Sequence, residues 1–425
     1  MPPRDKPGTK GANSPKHGQG LLPVAEARSR ILADLAPAPA EDHTLPDAIG
    51  RVLAADLFAR LSLPADPISA MDGYAARAAD CDTAGENLIR IGESAAGSPW
   101  SGVLKTGQAV RIFTGAVVPD GADCIILQED VDARSEDDGA SILVREPPRS
   151  GQFIRPAGLD VTAGDIILTA GTVMSARLIA LAISAGHTSA PLHPRPHIGI
   201  LSTGDELVRP GDTPARGQIV SSNATYLSAF VRACGGVPVD LGIARDRPGA
   251  MLEQLRATPA PLAMVVTTGG ASVGTHDHIA DDLSSAGTEL GFWKIAMRPG
   301  KPLIHGQVDG IPLLGLPGNP VSSAVCANIF LRPAIARLSG TDHRPEMIAA
   351  RLATDLPEND RRQDYLRATL THDDDGLPHA TPARKQDSSM IGVYAHANAL
   401  IVRPPFDPPR SAGDMVLVMR LDPLL

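Results

Sequence analysis

Between residues 198 and 338 the chain alternates short apolar runs with amphipathic stretches, and three of the apolar runs end in glycine turns. This alternation leaves few folds open, because repeated strand–helix units build a mostly parallel, doubly wound sheet. Met264-Val265-Val266 is too short for a globular helix and reads as a buried strand. It runs into Thr267-Thr268-Gly269-Gly270, where bare backbone can turn sharply and approach a ligand, and Ser272, Gly274 and Asp277 follow. The other two turns are Ser202-Thr203-Gly204-Asp205, after Ile198–Leu201, and Leu316-Pro317-Gly318-Asn319, after Pro312–Leu316. In such a sheet the strand C-termini share one edge, so the three loops can converge on one site. Any one of them alone is equally an ordinary βα turn; the set, with acidic neighbours, points to a site. Asn319 and Pro320 suit the N-cap and first position of a helix to about Leu338, and Ser222 or Asn223 caps a helix carrying Leu227, Phe230 and Val231.

The rest of the chain frames this α/β region. A length of 425 residues exceeds one compact core, so two to four domains are expected. Residues 1–20 lack periodicity and read as a disordered tail. Val24, Ala27, Ile31, Leu32 and Leu35 recur at helical spacing, and a second helix is expected from Thr44, with Ile49, Val52 and Leu53 on its apolar face. From 76 to 150 the runs Leu88–Ile91, Ala109–Phe113, Cys124–Leu127 and Ser141–Val144 read as strands between Gly, Asp and Pro turns. Ser175–Ala185 reads as a helix closed by Gly186, and the proline-rich Pro191–His197 as a stiff linker at a domain boundary. Beyond Gly340 the pattern returns to short strands, as in a small all-β domain. Net charge is −9, which argues against nucleic acid as a partner. The four cysteines stand far apart, without Cys-x-x-Cys, and read as reduced core residues. No apolar run approaches membrane-spanning length, so a cytoplasmic protein without a membrane partner is expected.

Four carboxylates, Asp205, Glu206, Asp246 and Asp277, each stand just past a strand end. Oxygen ligands at this density suit Mg²⁺ held together with substrate phosphate, although Asp246 and Asp277 also suit helix N-caps. Opposite charge sits in Lys294, Arg298 and Lys301 around a Pro-Gly bend, a set suited to a phosphate or tetrahedral oxyanion. His276 and His278 read as turn residues, since no third ligand completes a zinc set. The Walker lysine motif and a GxGxxG fingerprint on the first strand are absent from the sequence.

Seven motifs in order carry a resemblance: SAMDGYA (69–75), RIFTGAVVPDGAD (111–123), IRPAGLD (154–160), GILSTGDEL (199–207), SVGTHD (272–277), MRPGKP (297–302) and GLPGNPVS (315–322). The chain resembles the molybdopterin molybdenumtransferase family, enzymes of the MoeA and gephyrin E-domain type. The resemblance implies insertion of molybdenum from molybdate into adenylated molybdopterin, with Mg²⁺ as cofactor and AMP released. By resemblance, Asp205, Glu206, Asp246 and Asp277 hold metal or position phosphates and pterin, and Lys294, Arg298 and Lys301 bind anionic groups beside Ser322. The turn residues Ser202, Thr203, Gly204, Gly269, Gly270, Ser272, Gly274, Pro317, Gly318 and Asn319 form the cofactor-binding wall. Asp72, Thr114 and Arg155 complete the site from the first domains, and Arg367 and Ser388 match the family's molybdate-binding Arg and Ser. Thr275-His276 departs from the usual acidic or small polar residue after the glycine.

The resemblance further implies an elongated α/β plus β protein. Its parts are an N-terminal domain of 21–58 with 155–190, a β-rich insertion at 59–154, an α/β molybdopterin-binding domain at 191–340 and a C-terminal β-barrel-like domain at 341–425. It also implies a homodimer sharing its site between subunits, with molybdopterin adenylyltransferase and molybdoenzymes as partners. Two other functions fit the same residues: the preceding adenylylation step, and a non-catalytic pterin-binding scaffold.

Overall fold

The structure, a computed structural model, describes residues 20–133, 135, 137–269, 292–373 and 376–425. The chain forms two compact units, one of residues 40–192 and one of residues up to 39 together with 193–425.

In the second of these, the expected α/β sheet is present. Strands His197–Thr203, Val237–Ala244, Met264–Thr268 and Ile311–Leu316 run parallel. Pro302–Val308 and Phe292–Lys294 continue the sheet antiparallel beyond Ile311–Leu316. Met264–Thr268 lies centrally and is buried along its whole length, which is why Met264-Val265-Val266 are apolar without alternation. Helices cover the sheet: Ser222–Ala233 buries Leu227, Phe230 and Val231. Pro320–Cys326, a π-turn at Ala327–Leu331, and Arg332–Leu338 form one continuous buried rod. By length and apolarity this rod could cross a membrane, contrary to expectation, but 83% of it is buried inside the protein.

The helix Val24–Ala33 joins the core of this same unit, burying Val24, Ala27 and Ile31 with Phe330 and Ile335. The resemblance placed it instead with 155–190. Its apolar stripe needs a partner surface, and the 320–338 rod supplies one through Phe330 and Ile335.

The C-terminal strands Met347–Leu352, Gln363–His372, Pro378–Pro382, Ala399–Arg403 and Met415–Arg420 close into a ring, because Gln363–His372 pairs with both Pro378–Pro382 and Ala399–Arg403. Closure leaves no open edge. Met297–Arg298 pairs in parallel with Gln363–Asp364, tying the α/β domain to this barrel.

Within residues 40–192, six strands between Gly73 and Val144 form one sheet. Cys124–Leu127 and Ser141–Val144 match the expected runs residue for residue. The helix expected at Thr44 is only a 3-10 turn, Leu45–Asp47. Thr44 Oγ1 does bond Asp47 Oδ2 at 2.7 Å, but the chain then enters bridges at Val52 and Leu53, so the apolar spacing there is bought by strand contacts rather than a helix face.

Candidate functional site

The three glycine turns meet. Gly269 has φ +93°, and a Cβ there would lie 2.5 Å from the carbonyl oxygen of Thr203 in the first turn. A Cβ on Gly318, in the third turn, would lie 3.5 Å from Gly269 Cα. At Gly269 only bare backbone permits this approach. Asn223 completes the junction: its Nδ2 donates to Thr268 Oγ1 and to Gly318 O, each at 2.8 Å. The sequence suggested Ser222 or Asn223 as a cap, but the N-cap is Ser221 and no side chain caps the helix. A polar residue in the first turn of a helix that packs on strand ends was the available signal. Ser202 is fully buried and shares a 3.0 Å hydrogen bond with Ser221 Oγ, so its hydroxyl supports the fold rather than lining the turn. Thr203 Oγ1 is buried with no partner among the described residues. Gly270, Ser272, Gly274, Thr275, His276, Asp277 and His278 lie outside the described residues.

A second cluster sits where the barrel meets the third turn. Arg367 is 1% exposed, yet its guanidinium makes only long bonds, to Tyr365 O at 3.4 Å and Asp387 O at 3.5 Å. Its Nε has no partner among the described residues. Burial lowers the guanidinium pKa, against the raising pull of Asp364 and Asp387, but arginine stays charged in proteins. A buried cation with unused donors costs free energy unless an anion takes them. Gln386 holds the neighbouring segment in register by accepting from Arg367 N (2.9 Å) and donating to Arg367 O (3.0 Å). Ser388 follows, its Oγ accepting from Asn319 Nδ2 at 2.8 Å and its carbonyl from Val321 N at 3.1 Å. Asn319 does occupy the N-cap position before Pro320, but its side chain turns to Ser388. Pro317 continues the same turn, and Ser322 is 5% exposed in the helix that follows. The sequence found Arg367 and Ser388 by resemblance; Gln386 carried no signal of its own.

The three expected cations divide. Lys294 and Lys301 are exposed, and their carbonyls are fixed by Leu22 N and Ile295 N at 3.0 and 2.9 Å. Arg298 is not a free cation. Pairing of Met297-Arg298 with Gln363-Asp364 brings its guanidinium onto Asp364, which is 2% exposed, with Asp360 at 3.4 Å and Asn359 at 3.3 Å. The hydrogen bond to Asp364 raises the arginine pKa. Arg298 thus fastens the MRPGKP loop to the barrel with its charge paired to Asp364, although its side chain is 44% exposed.

Asp205 and Asp246 stand together at the strand ends: each backbone N–H donates to the other's carboxylate at 3.3 Å. Arg245 donates to Asp205 O at 3.2 Å. Glu206 folds back over Gly204, where a Cβ would meet its Oε2 at 2.4 Å. Among the described residues no group of three or more His, Cys, Asp or Glu is placed to hold a metal ion; the fourth carboxylate of the expected set, Asp277, lies outside them.

The unit of residues 40–192 holds its own cluster. Asp72 Oδ1 accepts from both Thr114 N and Thr114 Oγ1 at 2.8 Å. The Thr114 backbone bond is the main cause of a lowered Asp72 pKa. Gly73 is required next to it, since a Cβ would strike Ile126 O at 1.9 Å. Arg111, unassigned from sequence, lies between the Tyr74 and Phe113 rings at 5.1 and 4.9 Å and donates to Gly73 O at 3.0 Å. The aromatic neighbours in RIFTG and MDGY were its signal. Arg155 pairs with Ile68 in a two-residue ladder just ahead of this turn.

An α/β sheet with convergent glycine turns, joined to a closed β ring that supplies a buried arginine, defines a multidomain α/β plus β protein. Comparison with known proteins gives the family. Residues 22–186 match the MoeA N-terminal region (domain I and II), 199–337 a probable molybdopterin binding domain, and 349–421 the MoeA C-terminal region (domain IV). The chain is 32% identical to a molybdopterin molybdenumtransferase of Haemophilus influenzae, over 95% of this chain and all of that protein. It is 33% identical to one of Bacillus subtilis, over 90% of each. A crystal structure of a molybdopterin biosynthesis MoeA protein from Pyrococcus horikoshii superposes with a TM-score of 0.83 at 27% identity, covering 94% of this chain and 99% of that one. The chain belongs to the molybdopterin molybdenumtransferase family.

Proposed function

We propose that this protein is a transferase that inserts molybdenum from molybdate into adenylated molybdopterin and releases AMP. The observation that carries the reading is Arg367, a buried guanidinium with an unused Nε beside Ser388. It offers a tetrahedral oxyanion charge-assisted hydrogen bonds where water is excluded. The adjoining glycine turns present bare backbone at a sheet edge, where phosphorylated ligands bind, and Lys294 and Lys301 add positive charge.

No protein nucleophile is needed. A molybdate oxygen attacks the adenylyl phosphorus, and the bond from that phosphorus to the molybdopterin phosphate oxygen breaks, giving adenylyl molybdate and molybdopterin. The dithiolene sulfurs then bond to molybdenum, the bond from molybdenum to the bridging oxygen breaks, and AMP departs with that oxygen. Arg367 and Ser388 orient the attacking oxyanion, and the lysines offset charge on the phosphates. Mg²⁺ fits the donor set: Asp205 and Asp246 each keep one carboxylate oxygen free of the other's amide, and Mg²⁺ binds one or two carboxylates together with phosphate and water. When bound it neutralises phosphate charge. The test is incubation with Mg²⁺, molybdate and adenylated molybdopterin, following AMP. Release that depends on molybdate is expected; release unaffected by molybdate would refute the reading.

The working form is a cytoplasmic homodimer. Phe58 and Ile166 face each other across a ladder yet are 51% and 53% exposed, with Leu61 and Ile183 also about half exposed on the same unit. Contiguous exposed apolar side chains mark interfaces. Sedimentation of the unaltered chain is expected to give twice the chain mass, and the double variant Phe58→Glu, Ile166→Glu the mass of one chain.

A further inference from the structure

We infer that Asn223 and Asn319 are positioning residues that couple the strand-end turns to the Arg367–Ser388 oxyanion site, so that occupation of one alters affinity at the other. The inference rests on the proposed reading of those two sites as places for a phosphate-bearing ligand and an oxyanion.

The physical basis is one continuous hydrogen-bonded path. It starts at Thr268, at the end of the central strand, whose Oγ1 accepts from Asn223. The second donor of the same amide holds Gly318 O in the third turn. One peptide further, Asn319 Nδ2 holds Ser388 Oγ at 2.8 Å, while Ser388 O accepts from Val321 N at 3.1 Å. The residue before Ser388 supplies the carbonyl that Arg367 Nη2 reaches at 3.5 Å. Every link joins backbone or a short side chain, so little slack exists between the ends.

The two ends are unequal in how well they are satisfied. Asn223 uses both amide hydrogens at 2.8 Å. Arg367 has long bonds at 3.4 and 3.5 Å and an unused Nε. An oxyanion drawing the guanidinium toward itself gives up these weak bonds first, the second of them on the carbonyl of Asp387. That frees the 387–388 segment to shift, and Ser388 carries Asn319 and Gly318 with it. The third turn packs against the central one, since a Cβ built on Gly318 would already be in van der Waals contact with Gly269 Cα at 3.5 Å. Packing this close transmits a displacement of a few tenths of an ångström to the central turn instead of absorbing it. Because coupling between two binding equilibria is reciprocal, a ligand at the turns must alter oxyanion affinity by the same factor.

The experiment is calorimetric titration of the full chain with AMP and Mg²⁺, with and without saturating molybdate, and the reverse titration. In the unaltered chain, molybdate is expected to change the AMP dissociation constant by about fivefold or more, with an equal factor in reverse. In Asn223→Ala the ratio is expected to fall below about twofold while each ligand alone still binds, and in Asn319→Ala the ratio is expected to fall likewise. A loss of stability alone would not move this ratio. A ratio near one in the unaltered chain, or a ratio that survives in either variant, would overturn the coupling and leave the two sites standing. No molybdate binding to the unaltered chain would overturn the reading of Arg367 itself, and the coupling with it.

Discussion

Arg367→Leu is expected to lower molybdate-dependent AMP release by about 10²–10³-fold, the loss typical of a donor that stabilises charge in the transition state. The same change is expected to leave urea stability equal or higher by up to about 2 kcal/mol, because it replaces a poorly satisfied buried cation with an apolar side chain. This opposition separates a binding role from a structural one. A guanidinium kept for the fold would carry strong partners and its loss would destabilise. Arg367 has two bonds of 3.4 Å or longer and a bare Nε. Arg367→Lys is expected to recover only part of the activity, since an ammonium cannot reproduce a planar pair of donors. Urea melts and AMP release measured on the same preparations give both halves of the result; a variant both unstable and active would refute it.

Asp407→Ala is expected to show the largest loss of stability, about 3–5 kcal/mol in the C-terminal barrel. Asp407 and Arg403 are 5% and 3% exposed and bond at 2.9 Å, and Arg410 Nη2 donates to the same carboxylate at 2.6 Å. Removing the carboxylate leaves the Arg403 charge buried, with the backbone carbonyls of Pro357, Asp407 and Pro408 as its remaining partners. The Arg410 hydrogen bond, then Arg403, hold the Asp407 pKa below the usual carboxylate value. A depressed folded pKa means that the stabilisation is fully present above the unfolded value, about 4, and is lost as pH falls through the folded one. Asp360, pushed down to about 2 chiefly by its Arg362 hydrogen bond, acts in the same window. The barrel is therefore expected to weaken below about pH 4, and Asp407→Ala to flatten that dependence. Urea midpoints from pH 3 to pH 7 check both; an Asp407→Ala midpoint equal to that of the unaltered chain at pH 7 would refute the assignment.

Much of the α/β domain was legible because its signals are local. The buried strand Met264–Thr268 shows as the short apolar run Met264-Val265-Val266 ahead of its glycine turn, and Asn319-Pro320 marks a helix start in two residues. The reading failed where local pattern and tertiary partner disagree. Thr44 to Leu53 carries helical spacing, but its apolar residues serve bridges across to Val173 and Leu192. The rod at 320–338 is apolar because it is enclosed on nearly every side.

For the site, the sequence by itself determined which chemistry is present. Glycines at three strand ends, carboxylates just past them and cations around Pro299-Gly300 were readable because strand C-termini in a parallel sheet share an edge. What only the tertiary structure decided was how each charge is used. Arg298 and Arg367 are the same residue type, four strands of text apart in no pattern that ranks them. Register places Arg298 on the Asp364 carboxylate and leaves Arg367 buried with open donors. The physical reason is that an ion pair or an unfilled hydrogen bond depends on which side chains pairing brings within about 3 Å, and that distance is set by contacts far apart in the chain.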